Sequence, residues 1–481
     1  MLFNSFEFIF LFVPLVFVGY FWLASHTHRA ISKLWLVLGS LFFYSYWEIK
    51  YLPLILTSII VNYFLGYLIG KFQHQKKLFL ILGIVFNLLL LGYYKYFDFF
   101  IKNINWLLGT QFPLFYLVLP LGISFFTFQQ IAYLVDTYKR ETKEYRFVDY
   151  ALFVSFFPQL IAGPIVHHKE MMPQFENENN LKIQYQNLAL GLFIFSIGLF
   201  KKVVFADTLG QLADAGYSQP HGIRFIDAWL VSTSFVLQIY FDFSGYSDMA
   251  VGLGRMFNIH ILWNFDSPFK AKNIQDTWRR WHVSLSRFLR DYVYIPLGGS
   301  KVSEFRTNLN LFLTFVIGGV WHGAGWTFVI WGALVGLGIV FHKIWQKNGG
   351  NLPSPLDVIV NFVFFVLSSV FFRAPDLEVA FEILKGMLGL NGIILPEEIK
   401  GIYYNPSLTY HPLGSIFLHR THTDIGLYFV VALFVVFFTP NSREWAERFR
   451  PNWFFLLFTL ILFFYSVVNL LNVTKFIYFN F

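Results

Sequence analysis

Two histidines, a set of arginines and a pair of aspartates stand in this chain where their neighbours make chemistry possible. His322 lies in "VIGGVWHGAGWTFVIWG", residues 316–332, a run with no formally charged residue. Polar groups at membrane depth are costly and usually face a bundle interior or a wet cavity. Burial favours the uncharged imidazole, which is the form a general base needs. The same side chain could instead hydrogen-bond a neighbouring helix and serve packing alone. Upstream, His282 stands in "FKAKNIQDTWRRWHVSLSRFLRDYVYIPLGGSK", residues 269–301. At about 100° per residue, Asp276, Arg279, Arg280, Arg287, Arg290 and Asp291 share one helical face. Trp278, Trp281, Leu285, Phe288 and Leu289 share the other, with His282 at its edge and Val283 as a misfit. Asp276–Arg280 and Arg287–Asp291 have the i,i+4 spacing of helix-supporting ion pairs. The segment reads as an interfacial helix on anionic lipid, or as a grip for an anionic substrate such as the phosphates of a nucleotide-type acyl donor. The third cluster is Asp242 and Asp248 within "YFDFSGYSDMAVGLGRMF", residues 240–257. Buried carboxylates need partners; Arg255 and the Arg279–Arg280 pair are candidates. The two aspartates read as a structural salt bridge, or as groups that orient a histidine or a substrate hydroxyl.

The elements that position these groups must do so inside a bilayer. The 481 residues are 56% hydrophobic and only 13% charged, roughly half the charged share of an ordinary soluble domain. Mean hydropathy is +0.54. Apolar runs recur near 6–23, 34–49, 51–70, 78–98, 114–134, 148–166, 186–205, 226–257, 307–330, 331–345, 355–373, 424–440 and 453–473. Their lengths approach the ~20 residues that cross a hydrocarbon core. They predict an all-α polytopic membrane protein of about eleven to thirteen transmembrane or re-entrant helices. The first run lacks a basic leader and reads as a retained helix. No repeat or linker divides the chain, so 1–481 reads as one membrane domain. Its core is 240–345, with 269–301 amphipathic or re-entrant. Short basic connections at 26–33, 71–77, 139–146 and 441–450 belong on the cytoplasmic side by the positive-inside rule. Segments 207–224 and 374–423 are assigned to the outside. Gly319 and Gly323 have the spacing that lets membrane helices approach closely.

Composition also excludes. There is no cysteine, so a thioester reaction must use a sulfur that the substrate brings. No exposed basic stripe with stacking aromatics points to nucleic acid. "HTH" (26–28) and "HRTH" (419–422) lack a fourth ligand, and no metal is expected. Hydrolase, zinc-protease, P-loop and dinucleotide signatures are missing. A transporter or flippase for a glycan or lipid, with histidines as proton relays, is the main alternative to an enzyme. It would usually carry internal repeats. A purely structural anchor is a second.

"DTWRRWHVSLSRFLRDYVYIPLGG" followed by "GGVWHGAGWTFVIWG" resembles the membrane-bound O-acyltransferases, in particular the bacterial alginate O-acetyltransferase branch and its teichoic acid D-alanyl transferase relatives. "FFPQLIAGPIV" (156–166), residues 240–257 and "FFRAP" (371–375) extend the likeness over most of the chain. The family's two signature histidines match His282 and His322. Where relatives often read Leu-His-Gly, this chain has Leu334, Val335 and Gly336. The resemblance implies a ring of tilted helices around a thin central funnel, in the bacterial inner membrane. His322 is then the catalytic base, with His282 its partner, and Trp278, Trp281, Trp321 and Trp326 wall the tunnel. Arg279 and Arg280 hold the donor, and Asp242 and Asp248 assist substrate binding. An acyl-CoA, acetyl-CoA by preference, or an acyl-carrier thioester arrives from the cytoplasm as substrate, with no bound cofactor. An extracytoplasmic partner protein and a polysaccharide acceptor complete the reaction.

Overall fold

The computed structural model describes residues 1–142, 146–396, 410–411 and 425–472. At membrane depth no water satisfies the backbone, so each segment must bond within itself, and helices do so. A π segment, Glu7–Phe12, leads into α1 (Val13–His26), followed by α2 (Arg29–Ser45) and α3 (Leu52–Lys71). Next come α4 (Lys76–Leu91), a π segment Gly92–Tyr96, α5 (Phe97–Leu108) and α6 (Ile123–Tyr138). Short elements follow: α7 (Phe147–Ser155), α8 (Phe157–Leu160) and α9 (His168–Glu176). α10 (Tyr185–Phe200), a π segment Lys201–Ala206 and α11 (Asp207–Ser218) form one long rod beside α12 (Phe225–Met256). The core continues with α13 (Ile274–Arg280), α14 (Val283–Leu289), a π segment Arg290–Tyr294, α15 (Glu304–His322) and α16 (Trp326–Lys347). α17 (Leu356–Arg373), α18 (Leu377–Met387), α19 (Ile425–Phe438), α20 (Ser442–Arg448) and α21 (Trp453–Val468) complete it. Two-residue strands Leu395–Pro396 and Tyr410–His411 pair in parallel.

Among the described residues six helices are long and apolar enough to cross a membrane, or seven if a bent pair counts as one span. Of the other expected runs, some are short or bent apolar helices, such as Trp453–Val468, and some form the interior because they carry polar groups. α12, for example, buries Asp242, Ser244, Ser247 and Asp248. Several expectations are corrected. Run 114–134 becomes helical only at Ile123. Run 148–166 is broken at Phe156, since Pro158 is tolerated in the first turn of a new helix but disfavours continuation of the old one. The segment from Asp207, read as an outward connection, is helix as far as Ser218. "HRTH" and residues 397–409 and 412–418 of the long connection before it lie outside the described residues.

Close approaches set the centre. A Cβ on Gly191 or Gly198 of α10 would sit 2.6 or 2.5 Å from the carbonyl of Gly252 or Gly245 on α12. Gly319 of α15 faces Gly332 of α16 in the same way. The second of these confirms the close crossing expected at Gly319, although its partner is Gly332. Gly323 lies in the turn after α15, packed on the Phe328 ring.

The basic connections share one face. Lys76, at the start of α4, donates to the Tyr138 carbonyl at the end of α6 (3.4 Å), and Arg140 donates to Gln73 Oε1 (2.7 Å). On this face buried Lys33 joins Asp149 at 2.8 Å and also Glu176, while Arg146 joins Glu176 at 2.5 Å. Burial alone would raise the Glu176 carboxyl, but hydrogen bonds from Lys33 and Arg146 and their charges hold it below its ordinary value. A depressed carboxylate contributes stability above its ordinary range and loses it as pH falls through the folded-state value. Glu176→Gln should therefore melt below wild type at neutral pH, and the two should converge as the pH falls below the ordinary carboxylate range. Parallel melting curves across that interval would show that the network does not hold α9.

Candidate active site

His322 is the last residue of α15, and Gly323 turns the chain into an extended conformation. The imidazole is 4% exposed. It meets the rings of Trp321, Trp331 and Phe372 edge-on, with centroids 4.9, 5.1 and 5.1 Å away. It also lines a small cavity of about 30 Å³ together with Lys95, Leu121, Gly122, Ser124, Phe125 and Trp321. The 119–122 chain forms one wall of this cavity. That connection joins the end of α5 to the start of α6, the helix ends remote from the basic face. The cavity therefore reaches His322 from the side opposite the basic connections.

His282 breaks the amphipathic segment. The expected continuous helix is two short ones, and His282 between them has φ +45°. A left-handed conformation is unusual for a bulky residue, and such strain persists only when its surroundings impose it. Asn264 does so: its carbonyl accepts from Val283 N and its Oδ1 from Ser284 N, each at 3.0 Å. The break turns His282 inward from the edge of the apolar face to complete burial. Its ring abuts Phe243 edge-on at 4.6 Å and lies 6.2 Å from Trp321. Neither ring nitrogen has a hydrogen-bond partner among the described residues. Trp321 thus touches both histidine rings, and a string of stacked rings, Trp321–Phe128–Phe288, extends from it to α14.

The remaining candidates divide. Trp278 is buried against Phe315 and Trp331, and Trp281 against Phe265 and Phe365, so both form the outer wall. Trp326 does not join them. It is 55% exposed and donates to Asn103 Oδ1, because the turn after Gly325 points it away from the core. Arg279 lines a separate cleft of about 530 Å³ with Arg255, Trp263, Asp266, Val283, Arg443 and Glu447. Arg280 turns back to Asp276 (3.0 Å), as its i,i+4 spacing predicts. The other predicted pair does not form: Arg287 binds Glu170, and Arg290 binds Asp291. A π turn after Leu289 shifts the phase on which that pairing depended.

Asp242 and Asp248 are paired with lysines, not arginines. Lys202 bridges Asp207 and Asp242 at 2.7 and 2.6 Å, and Lys201 meets Asp248 at 2.8 Å. The π segment Lys201–Ala206 places two consecutive lysines against α12. Neither aspartate lines the His322 cavity. No group of three metal-ligating side chains occurs among the described residues. Sequence reasoning missed Trp331, Phe372 and Lys95. The first two stand inside quoted motifs, so a signal existed; Lys95 stands in none.

A family model for the membrane-bound O-acyltransferases matches residues 40–372. The chain is 52% identical over 427 residues to the peptidoglycan O-acetyltransferase of Helicobacter pylori, covering 82% of this chain and 81% of that protein. It is 40% identical over 396 residues to the probable alginate O-acetylase AlgI of Pseudomonas aeruginosa, with 80% and 75% covered. Likeness to the teichoic acid D-alanyltransferase of Bacillus subtilis is 29% over 261 residues, with 51% and 66% covered.

Proposed function

Because the chain belongs to the membrane-bound O-acyltransferase family and is a multi-pass membrane acyltransferase, we propose that it moves an acetyl group from a cytoplasmic thioester to a hydroxyl used in extracytoplasmic polysaccharide modification. The observation that carries this reading is the buried His322 imidazole on the wall of a cavity facing away from the basic connections. In a bacterial inner membrane, with the basic connections on the cytoplasmic side as the positive-inside rule orients them, that cavity would admit an acceptor from outside. The acceptor is a glycan hydroxyl, or a hydroxyl of an extracytoplasmic partner protein that passes the group on. Peptidoglycan is the favoured glycan over alginate, because the relative named for it shares more of this sequence. Both are named for acetyl transfer, whereas the D-alanyl transferase is a shorter and weaker match. All three are named for group transfer, which favours an enzyme over the transporter alternative.

His322, as base, takes the proton of the acceptor hydroxyl. The oxygen attacks the thioester carbonyl, the C–S bond breaks, and the imidazolium returns its proton to the departing thiolate. His282 polarises the carbonyl or orients the reacting groups. The tryptophan and phenylalanine walls exclude water and so limit hydrolysis. The donor, acetyl-CoA or an acylated carrier, is a substrate and not a resident cofactor. Arg255 and Arg279, in a cleft where Arg443 is paired with Glu447 and Asp266, would meet its phosphates.

The test is purified protein in lipid vesicles, supplied with labelled acetyl-CoA or acetylated carrier protein and with muropeptides or alginate fragments. Labelled ester should form on an acceptor. Arg279→Ala should raise the donor KM about 10-fold or more with kcat little changed, the signature of lost ground-state binding. Absence of transfer from either donor class would end this assignment.

A further inference from the structure

α15 ends at His322, and its last carbonyls need partners there. An α-helix leaves its last carbonyls without intrahelical partners, and at membrane depth each unsatisfied one is costly. Gly323 N closes on the Gly319 carbonyl, which leaves Val320, Trp321 and His322. All three are met by two consecutive residues of another element. Lys95 Nζ donates to the Trp321 carbonyl at 2.6 Å and to the His322 carbonyl at 3.0 Å. The Tyr96 hydroxyl donates to the Val320 carbonyl at 2.7 Å. The third ammonium proton faces Ser124 Oγ at 3.3 Å.

The π segment Gly92–Tyr96 makes this possible. Its extra residue per turn sets Lys95 and Tyr96 against the same helix end, and such turns recur at functional sites. An ammonium at a helix C-terminus also opposes the negative end of the helix dipole. Lys95 lies beside the Trp321 ring, 5.8 Å from its centroid, and lines the same cavity as His322. The protein thus spends a buried lysine on the backbone of the residue that carries the imidazole.

We propose that Lys95 is a positioning residue for acyl transfer, with Tyr96 as its assistant: together they clamp the end of α15 and hold the His322 ring at the cavity wall. Lys95 itself contributes no proton to the reaction, since the carbonyls of Trp321 and His322 and the Ser124 hydroxyl engage its donors. This inference rests on the assignment of His322 as the base. A shift of about 1 Å in a catalytic group can cost ~10²-fold in rate, so a loosened helix end should reduce turnover more than substrate binding.

The experiment compares wild type, His322→Gln, Lys95→Met, Lys95→Arg and Tyr96→Phe in vesicles, each normalised to folded protein by size exclusion and melting. Lys95→Met should lower kcat about 100-fold with both KM values within about threefold. Lys95→Arg, which keeps a cation on the carbonyls, should recover at least a tenth of wild-type kcat. Tyr96→Phe removes one bond only and should lower kcat severalfold. A purely structural lysine would reduce the amount of folded protein but leave kcat per folded molecule unchanged, and that result overturns the proposal. If Lys95→Met does not fold, Tyr96→Phe decides: unchanged kcat overturns the clamp. Full activity in His322→Gln, by contrast, would remove the base assignment and the clamp with it.

Discussion

Replacing His322 by Gln should leave a folded, membrane-inserted protein whose kcat is lower by about 10²–10⁴-fold, the usual worth of a general base. The substitution suits the site. Glutamine is close to histidine in size, and the aromatic surroundings from Trp321, Trp331 and Phe372 would close on it with little cavity. The carbonyl at position 322 keeps its bond from Lys95, so the helix end is preserved. What is lost is a group able to accept a proton at the cavity wall. The KM for each substrate should change little, because the ring is proposed to act on the reaction and not to anchor either molecule. Turnover above about a tenth of wild type would mean that another group carries the proton, and His282 would be the next to examine.

Lys202→Met should have the largest effect on stability. Lys202 lies between Asp207 and Asp242, and the three side chains are 4%, 8% and 2% exposed. Breaking a buried ion pair from one side leaves charge uncompensated, at about 3–5 kcal/mol. Here two carboxylates would lose the same cation. The site also lies one turn beyond Gly198, where α10 and α12 approach backbone to backbone, so the helices cannot easily part to admit water. Lys202→Arg should be milder than Met, with the charge kept and the geometry altered. Melting in detergent measures both. A methionine variant within a degree or two of wild type would show that this ion-pair network does not hold α10 and α12 together.

Much of this centre was legible in the sequence, because the deep histidine and the tryptophan-rich amphipathic segment violate the composition of their surroundings. His322 at the end of a glycine-rich run and the close crossing at Gly319 follow from residue type alone. The break at His282 does not. No glycine or proline marks it, and the 3.6-residue pattern passes through it, since one left-handed residue re-aims a helix without altering the order of apolar and polar side chains. Its cause, Asn264, comes from the preceding loop. The partners of Asp242 and Asp248 were misassigned for a similar reason. Lysines at 201 and 202 lie in an apolar run where a pattern of spans places them at an end; only a π turn brings both inward. Lys95 was invisible because its partners are carbonyls, which every residue has.

Among the described residues four π segments, Glu7–Phe12, Gly92–Tyr96, Lys201–Ala206 and Arg290–Tyr294, give the molecule a property of its own. Each is a phase slip: a wider turn rotates the rest of the rod about its axis relative to a regular helix. Two of the slips coincide with lysines carried into the protein interior. Homologous spans that lack a slip would present those lysines to lipid. Insertions and deletions of single residues in such proteins are therefore informative where they fall, since one residue more or less decides whether a cation faces hydrocarbon or the protein interior.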